Sequence, residues 1–427
     1  MNSRLIKLMA LSAFIIGCNV PTDRVDPTAN AHQASTLTPP FSTTESARPT
    51  PTDLPPSHTC PVPLGAPILP LLSAPKDWAP DVLTYLNQGG SITAFIEALP
   101  ALGQSDVQGI AAEIADLNGD RFEDLAITFA QPGEALFPGE SALFIYLCDQ
   151  ENYRLAYASS SFPDADRFHL HQVHDLTGDG IPEILVMQAF CGAHTCFQAW
   201  EVLQWQSDHF VNVLEGRSDD LPSPTLEISS PGSDGSMAIS ITGAGVQSVG
   251  AGPSRQLTRT WHWSVPETLF VVVEERWAAP IFRIHALQDA DQDALTGNFD
   301  DALGGYNRVI EDPTLDDYPF GEEGHAQLSA YALFRSMLLW TREGDLDQAG
   351  STLNFLREAY SPDNPGGGYR SLAEEFWRAY QSHPDLGYAC QIAQAYALEH
   401  PGEVLDPLNY GYANKHYDAG DVCPYTA

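Results

Sequence analysis

The sequence predicts a chain of several domains, in which a domain of repeated β units precedes an all-α helical domain. Three observations support this fold class. A loop rich in aspartate and asparagine occurs twice, within residues 116–130 and 175–189, and each copy runs into an apolar segment of β-strand character. After Pro280 the strand-like runs give way to alanine-rich segments with helical periodicity. The length of 427 residues also exceeds that of an ordinary single domain.

The N-terminal segment, residues 1–17, has the features of a lipoprotein signal peptide. Arg4 and Lys7 precede an apolar run that is too short to span a bilayer as a helix. The run ends in 15-IIGC-18, which resembles a bacterial lipobox. The resemblance implies that Cys18 becomes the first mature residue and carries lipid; an ordinary secretory peptide cleaved nearby is the alternative. We therefore expect an exported protein, lipid-anchored to the outside of a bacterial membrane at the cell surface or periplasmic face.

Residues 18–59 are rich in proline, threonine and serine and contain almost no large apolar side chains. Such a segment cannot bury enough apolar surface to offset the entropy of ordering it, so we expect a disordered tether. The whole chain has 20 basic and 56 acidic residues, which gives a formal net charge of −36. This charge argues against nucleic acid as a partner and against electrostatic attraction to anionic lipid. The negative charge is consistent with an exported protein that encounters divalent cations. The alternative is that the charge only keeps the protein soluble.

Residues 60–104 predict a helical cap that packs on the β domain. The apolar residues between Trp78 and Gly103 have the spacing of two short amphipathic helices. Gly89 and Gly90 separate the two helices, and Ser91 is a candidate N-cap for the second one.

Residues 105–280 predict the β-repeat domain. The loop 116-DLNGDRFED-124 and the loop 175-DLTGDGIPE-183 each follow an alternating segment and precede a β-rich one. In both copies a second pair of apolar runs, separated by a polar turn, has the signature of a hairpin. A third unit begins near Leu221 and has lost the alternating carboxylates. A unit of about 60 residues with several strands indicates a propeller-like or stacked β architecture.

The two loops resemble those of FG-GAP/VCBS repeats, the calcium-binding blades of integrin-α-like propellers, over roughly residues 105–276. The resemblance implies a structural Ca²⁺ ion in each loop, because this cation takes six to eight oxygen ligands and such a loop offers oxygens at alternate positions. The implied ligands of the first loop are Asp116, Asn118, Asp120, the Phe122 carbonyl and Asp124. Those of the second loop are Asp175, Thr177, Asp179, the Ile181 carbonyl and Glu183.

One position departs from the family pattern. The usual glycine at the sixth position is Gly180 in the second loop, whereas the first loop has Arg121. A turn that needs a positive φ would strain Arg121, because only glycine adopts that conformation without a steric penalty. The alternative to a metal site is that the Asn-Gly and Asp-Gly pairs form ordinary hairpin turns.

Six cysteines follow the lipobox, and an even number in an exported chain indicates disulfides. Cys191 and Cys196 flank four residues, which favours a local disulfide across a tight loop. Cys390 and Cys423 could attach the C-terminal segment. A zinc site that includes His194 is the alternative for the first pair, although one C-x₄-C and one histidine supply too few ligands.

Residues 281–405 predict an all-α domain. The segments 297–313, 344–362 and 385–401 resemble the second half of a tetratricopeptide repeat, in which small residues let paired helices approach closely, and the resemblance implies stacked helix pairs. Their spacing is uneven and their first helices match poorly, so an irregular antiparallel bundle is the alternative. Residues 406–427 form a C-terminal tail.

The function that these features predict is that of a non-enzymatic, membrane-anchored binding or scaffold protein, stabilised by calcium, for a protein or glycan partner and not for nucleic acid. The chain has no G-x-S-x-G, H-E-x-x-H or P-loop motif. The alternatives are an extracytoplasmic hydrolase of polysaccharide, whose catalytic carboxylates no motif marks, and a structural spacer. Because function does not follow from fold, the site must decide among them.

Overall fold

The computed structural model of the chain describes residues 60, 67–68, 77–102, 108–131, 140–160, 168–192 and 194–425. These residues belong to one compact unit. The predicted signal peptide, Cys18 and the predicted tether lie outside the described residues. Within the described residues, no helix combines the length and the apolar character that crossing a membrane requires.

The β part of the described chain consists of three four-stranded sheets, in which each strand is antiparallel to its neighbours and the strands follow chain order. The first sheet contains β1 (Gln108–Ala115), β2 (Asp124–Gln131), β3 (Glu140–Asp149) and β4 (Asn152–Ser160). The second contains β5 (Phe168–His174), β6 (Glu183–Cys191), β7 (Cys196–Gln206) and β8 (His209–Asn212). The third contains β9 (Pro224–Ile228), β10 (Ile239–Gly243), β11 (Leu257–Ser264) and β12 (Leu269–Trp277).

Strands β2, β3 and β6 are mainly apolar on both faces because their two faces contact two different cores. In β2 and β3, one set of alternate residues packs under the cap helices and the other packs against the second sheet. In β6, Ile184 and Val186 contact the core shared with the first sheet, whereas Leu185 contacts the core shared with the third. The second sheet is therefore packed between the other two.

Two helices, α1 (Ala79–Asn87) and α2 (Ile92–Ala98), cover the outer face of the first sheet, and a 3-10 turn follows at Leu99–Leu102. Trp78 is fully buried, with its ring centroid 4.7 Å from that of Phe129 in β2. Ser91 caps α2 by accepting a hydrogen bond from the N–H of Ala94. Both helices and the N-cap were predicted from sequence.

Helices make up the rest of the described chain, as the sequence predicts, and consecutive long helices pack in pairs. The long helices are α3 (Arg283–Thr296), α4 (Phe299–Glu311), α5 (Gly321–Glu343), α6 (Leu346–Ala359), α7 (Gly367–Ser382) and α8 (Leu386–Glu399). Short helices follow at α9 (Pro401–Val404) and α10 (Ala419–Val422), with a 3-10 turn at Asp406–Leu408. The small residues Ala302, Ala349 and Ala389 are fully buried, which lets paired helices approach closely.

The C-terminal tail packs against both the helices and the third sheet. The Cys390–Cys423 disulfide attaches it to α8. The Tyr417 hydroxyl donates a hydrogen bond of 2.9 Å to the buried carboxylate of Asp291 in α3. A third attachment reaches the loop before β11, where the main-chain N–H of Tyr412 donates to the carbonyl of Gly250 at 3.1 Å.

Candidate functional site

The first acidic loop folds around its own first aspartate. Asp116 Oδ1 accepts hydrogen bonds from the N–H groups of Gly119, at 2.7 Å, and of Asp120, at 3.1 Å. Its other oxygen accepts from the N–H of Arg121 at 2.8 Å. Asp120 accepts in turn from the N–H of Phe122 at 2.9 Å. The predicted carbonyl ligand Phe122 therefore contributes its N–H group to the loop.

Asn118 completes the first loop. Its side-chain oxygen accepts from the N–H of Asp120 at 2.9 Å, and its amide donates to the Asp120 carboxylate at 3.0 Å. The loop therefore forms a chain of turns that its own polar side chains close.

The second loop repeats this pattern. Asp175 accepts from the N–H groups of Gly178, at 2.7 Å, and Gly180, at 2.9 Å. Asp179 accepts from the N–H of Ile181 at 2.8 Å, so this predicted carbonyl ligand also acts as a donor. The two loops thus share one backbone conformation.

The last carboxylate of each loop is buried among main-chain donors. Asp124 accepts from the N–H of Leu117 at 2.8 Å and from that of Cys148 in β3 at 2.7 Å. Burial raises the pKa of Asp124 from its ordinary value to about 7, although these two hydrogen bonds oppose the shift. Both oxygens are engaged in joining the loop to the sheet.

Glu183 occupies the equivalent position in the second loop. It accepts from the N–H of Leu176 at 2.8 Å, from the Thr177 hydroxyl at 3.2 Å and from the Gln204 amide at 3.1 Å. Burial raises the pKa of Glu183 to about 7, although the hydrogen bonds from Leu176 and Gln204 oppose the shift. Thr177, a predicted ligand, is therefore bound to Glu183 within the loop.

The prediction of structural calcium in these loops is wrong. Among the residues that the structure describes, no group of three or more His, Cys, Asp or Glu side chains is placed to hold a metal ion. The physical reason lies in the hydrogen bonds above: Asp124 and Glu183 are fully buried against the strands, while Asp120 and Asp179 are exposed and close local turns. The alternating polar residues therefore form hydrogen bonds within the loop itself.

The residue at the sixth position of each loop has a positive φ, including the arginine that replaces the usual glycine in the first loop. Arg121 has φ 75° and Gly180 has φ 91°, so both loops use a left-handed residue at this point. Arg121 adopts a conformation that L-residues seldom take because of the close approach of Cβ to the backbone.

The described cysteines form three disulfides. Cys191–Cys196 joins the ends of β6 and β7, as the sequence predicts, and leaves no thiolate there for a zinc site with His194. The third bond, Cys60–Cys148, attaches the start of the cap to β3. Disulfides of this kind are typical of proteins that fold in an oxidising compartment.

A cavity of about 680 Å³ lies where the third sheet, α3 and the C-terminal tail meet. We call it the junction cavity. Its main polar and aromatic lining residues are Arg255, Trp277, His285, Gln288, Asp289 and Lys415. Its volume is within the range of about 300–1,000 Å³ that is usual for small-molecule sites.

Arg255 joins the sheet wall of the junction cavity to the helix wall. Its guanidinium donates to both carboxylate oxygens of Asp289, at 2.6 and 2.8 Å, and its Nε donates to the Ala278 carbonyl at 2.7 Å. The Arg255 side chain is only 11% exposed, and it lies 5.8 Å from the ring centroid of Trp277. The bidentate pair fixes the position of α3 relative to the sheet.

His285 and Asn414 also line the junction cavity. His285 is 3% exposed, and its Nε2 lies 3.1 Å from Asn414 Oδ1. The Asn414 amide donates to the carbonyls of Ala251 and Pro253, at 2.9 and 3.1 Å. Burial lowers the pKa of His285, so the imidazole is neutral at pH 7.

Sequence reasoning missed the junction cavity. Its walls come from segments that are far apart in the sequence, such as those that contain Asp220, Asp289 and Lys415. One feature of the sequence could have indicated it: Asp289 occupies a helix position at which a tetratricopeptide-like repeat would have an apolar residue. At this position α3 contacts Arg255 of the β domain instead of another helix.

No protein-family model, no curated protein and no solved structure matches this chain. The site must therefore be interpreted from its own geometry.

Proposed function

We propose that this protein is an extracytoplasmic, lipid-anchored binding protein that holds a small ligand, free or as part of a larger partner, in the junction cavity. The observation that carries the proposal is the cavity itself, which is lined by fixed polar side chains and one large aromatic ring. Rigid walls favour binding because little conformational entropy is lost when the ligand enters.

The electrostatics of the junction cavity favour binding over hydrolysis. A glycoside hydrolase needs one carboxyl whose raised pKa keeps it protonated as the general acid. Asp289 is held by Arg255 through two hydrogen bonds, and Asp220 is held likewise by Arg259. Partial burial raises the pKa of Asp220, but the hydrogen bond and charge of Arg259 outweigh it and lower the pKa overall.

The architecture suits a scaffold. The three stacked meander sheets support a propeller-like interpretation, and the three helix pairs with buried alanines support a tetratricopeptide-like one. In this proposal the two parts serve as supports for the cavity between them.

Lipid anchoring through Cys18 completes the proposal. The oxidised cysteines support export, and the acidic chain offers no electrostatic attraction to anionic lipid, so a covalent anchor would be needed. Metabolic labelling with palmitate should mark the wild-type protein and leave a Cys18→Ser variant unlabelled. Equal labelling of both would contradict this part of the proposal.

Binding is tested by a thermal-shift screen of the full-length protein against sugars, organic acids, amino acids and nucleosides. A ligand at 100 times its Kd should stabilise the fold by about 2.7 kcal/mol. Gln292→Trp, which fills the junction cavity from α3, should abolish the shift. Leu295→Trp, on the same helix at an exposed position outside the cavity, should retain it. A screen without hits, or hits that survive Gln292→Trp, would overturn the proposed function.

A further inference from the structure

The geometry points to a neutral, hydroxyl-rich ligand for the junction cavity: a mono- or disaccharide, either free or at the end of a glycan chain. This inference rests on the proposed function and names its ligand class. Three features of the cavity support the inference: its charged side chains are paired with one another or with neighbours, uncharged polar side chains line it, and one indole ring is exposed.

The charged groups that line the cavity are already paired. The Arg255 guanidinium is bound by Asp289, and Lys415 Nζ lies 2.9 Å from Asp421 Oδ1. Asp220 is paired with Arg259 at 2.8 Å. An anionic ligand would have to displace a carboxylate, and a cationic one would have to displace an arginine or lysine. Breaking such partly buried pairs is unfavourable, so a ligand without charge suits the site best.

Uncharged polar side chains of α3 line the cavity from one face of the helix. Among the residues that the structure describes, the buried Gln288 Nε2 has no hydrogen-bond partner, and the imidazole of His285 lines the cavity from the same helix. Gln292 lies one turn farther along α3 and also lines the cavity. Amide and imidazole groups both donate and accept, as sugar hydroxyls do. A buried polar group without a partner is unfavourable, so a hydroxyl that satisfies Gln288 would contribute to affinity.

Trp277 supplies an apolar wall next to these polar groups. It ends β12 with 54% of its surface exposed, which is unusual for so large an apolar side chain. The face of an indole ring carries partial negative charge. The C–H face of a pyranose carries partial positive charge, so the two surfaces are complementary. A tryptophan beside two glutamine amides therefore matches a sugar ring better than it matches a flat apolar ligand.

The test is saturation-transfer NMR on the full-length protein with glucose, maltose, cellobiose, lactose and sucrose, and with galacturonate and glucosamine as charged counterparts. We expect transfer to the ring C–H protons of at least one neutral sugar. Trp277→Ala and Gln292→Ala should each reduce it at least fivefold. Val273→Ala, at an exposed position of the same strand outside the cavity, should leave it unchanged. Circular dichroism verifies that each variant folds.

A second arm distinguishes a free sugar from the end of a glycan. Sedimentation with insoluble cellulose or starch should retain the protein only if the cavity takes a chain end, whereas transfer to disaccharides alone indicates a free sugar. Absence of transfer to every neutral sugar together with no sedimentation overturns the inference, as does transfer that survives Trp277→Ala and Gln292→Ala. If charged compounds then give shifts that Gln292→Trp abolishes, the proposed binding function stands without the sugar.

Discussion

Gly252 shows how one residue determines the contact between the third sheet and the tail. Its φ is 87°, and a Cβ added there would overlap the carbonyl oxygen of Tyr410 and crowd the amide of Asn414. Only glycine has both the conformational freedom and the small size that this approach requires.

We therefore expect Gly252→Ala to lower the free energy of unfolding by about 3 kcal/mol or more, measured by urea denaturation. Gly297→Ala is the matched control, because Gly297 has φ 85° but no described atom beyond its chain neighbours lies within 4 Å of its Cβ position. That control should cost only the backbone strain, roughly 1 kcal/mol. Equal losses in the two variants would contradict the role assigned to the close approach.

Because of the buried carboxyl of Asp124, we expect the free energy of unfolding to fall as the pH rises. Its pKa is about 7 in the fold and 3.8 ordinarily, so between these values the folded state binds more protons than the unfolded state. The stability contributed by this group is thus present at low pH and is lost as the pH rises from about 4 to 7, by roughly 1–3 kcal/mol. Urea unfolding at several pH values should show a shallower fall for Asp124→Asn than for wild type. A steeper fall in the variant would contradict the sign.

At the scale of elements, the two acidic loops differ at one strained position. Arg121 and Gly180 both have a left-handed backbone at the sixth position of their loops, and among the described residues no atom beyond the chain neighbours lies within 4 Å of a Cβ at Gly180. Arg121→Gly should raise the free energy of unfolding by roughly 0.5–1 kcal/mol, because relief of strain exceeds the added entropy of the unfolded chain. Gly180→Arg should lower it by a similar amount. Thermal melts of the two variants should shift in opposite directions.

The same loops make a prediction about calcium. Their carboxylates are engaged by main-chain N–H groups, and Asp124 and Glu183 are buried. Millimolar CaCl₂ should therefore leave the melting temperature unchanged relative to the same ionic strength of NaCl. A specific rise that Asp120→Ala removes would contradict this view of the loops.

Sequence patterns predicted the elements better than their assembly. Strand–turn–strand spacing, the Ser91 cap and the local Cys191–Cys196 bond all depend on near neighbours, and the structure contains each of them. The partner of Cys60 lies 88 residues farther along the chain, so the linear pattern offered no way to choose it. The calcium prediction failed for a related reason. Side-chain oxygens at alternate positions give the same sequence pattern whether they bind a cation or accept hydrogen bonds from backbone N–H groups.

At the scale of the whole molecule, Asn414 connects the tail, the third sheet and α3. Its side chain contacts Ala251, Pro253 and His285 by hydrogen bonds. Asn414→Ala would leave two carbonyls and an imidazole nitrogen unsatisfied and should lower the free energy of unfolding by about 2–3 kcal/mol. Chemical denaturation measures the loss, with Asn409→Ala, an exposed tail position, as the control. A loss as small as that of the control would show that Asn414 is dispensable.

The position of Asn414 also determines when the junction cavity is completed. Its contact with Ala251 closes a loop of 163 residues, and long loops close late because their entropy is lost before any contact compensates. The sheets and the helix pairs rely on near neighbours, so they can form before this closure. Ligand binding would then be the last property that a refolding chain regains, and its recovery would lag behind the recovery of secondary structure.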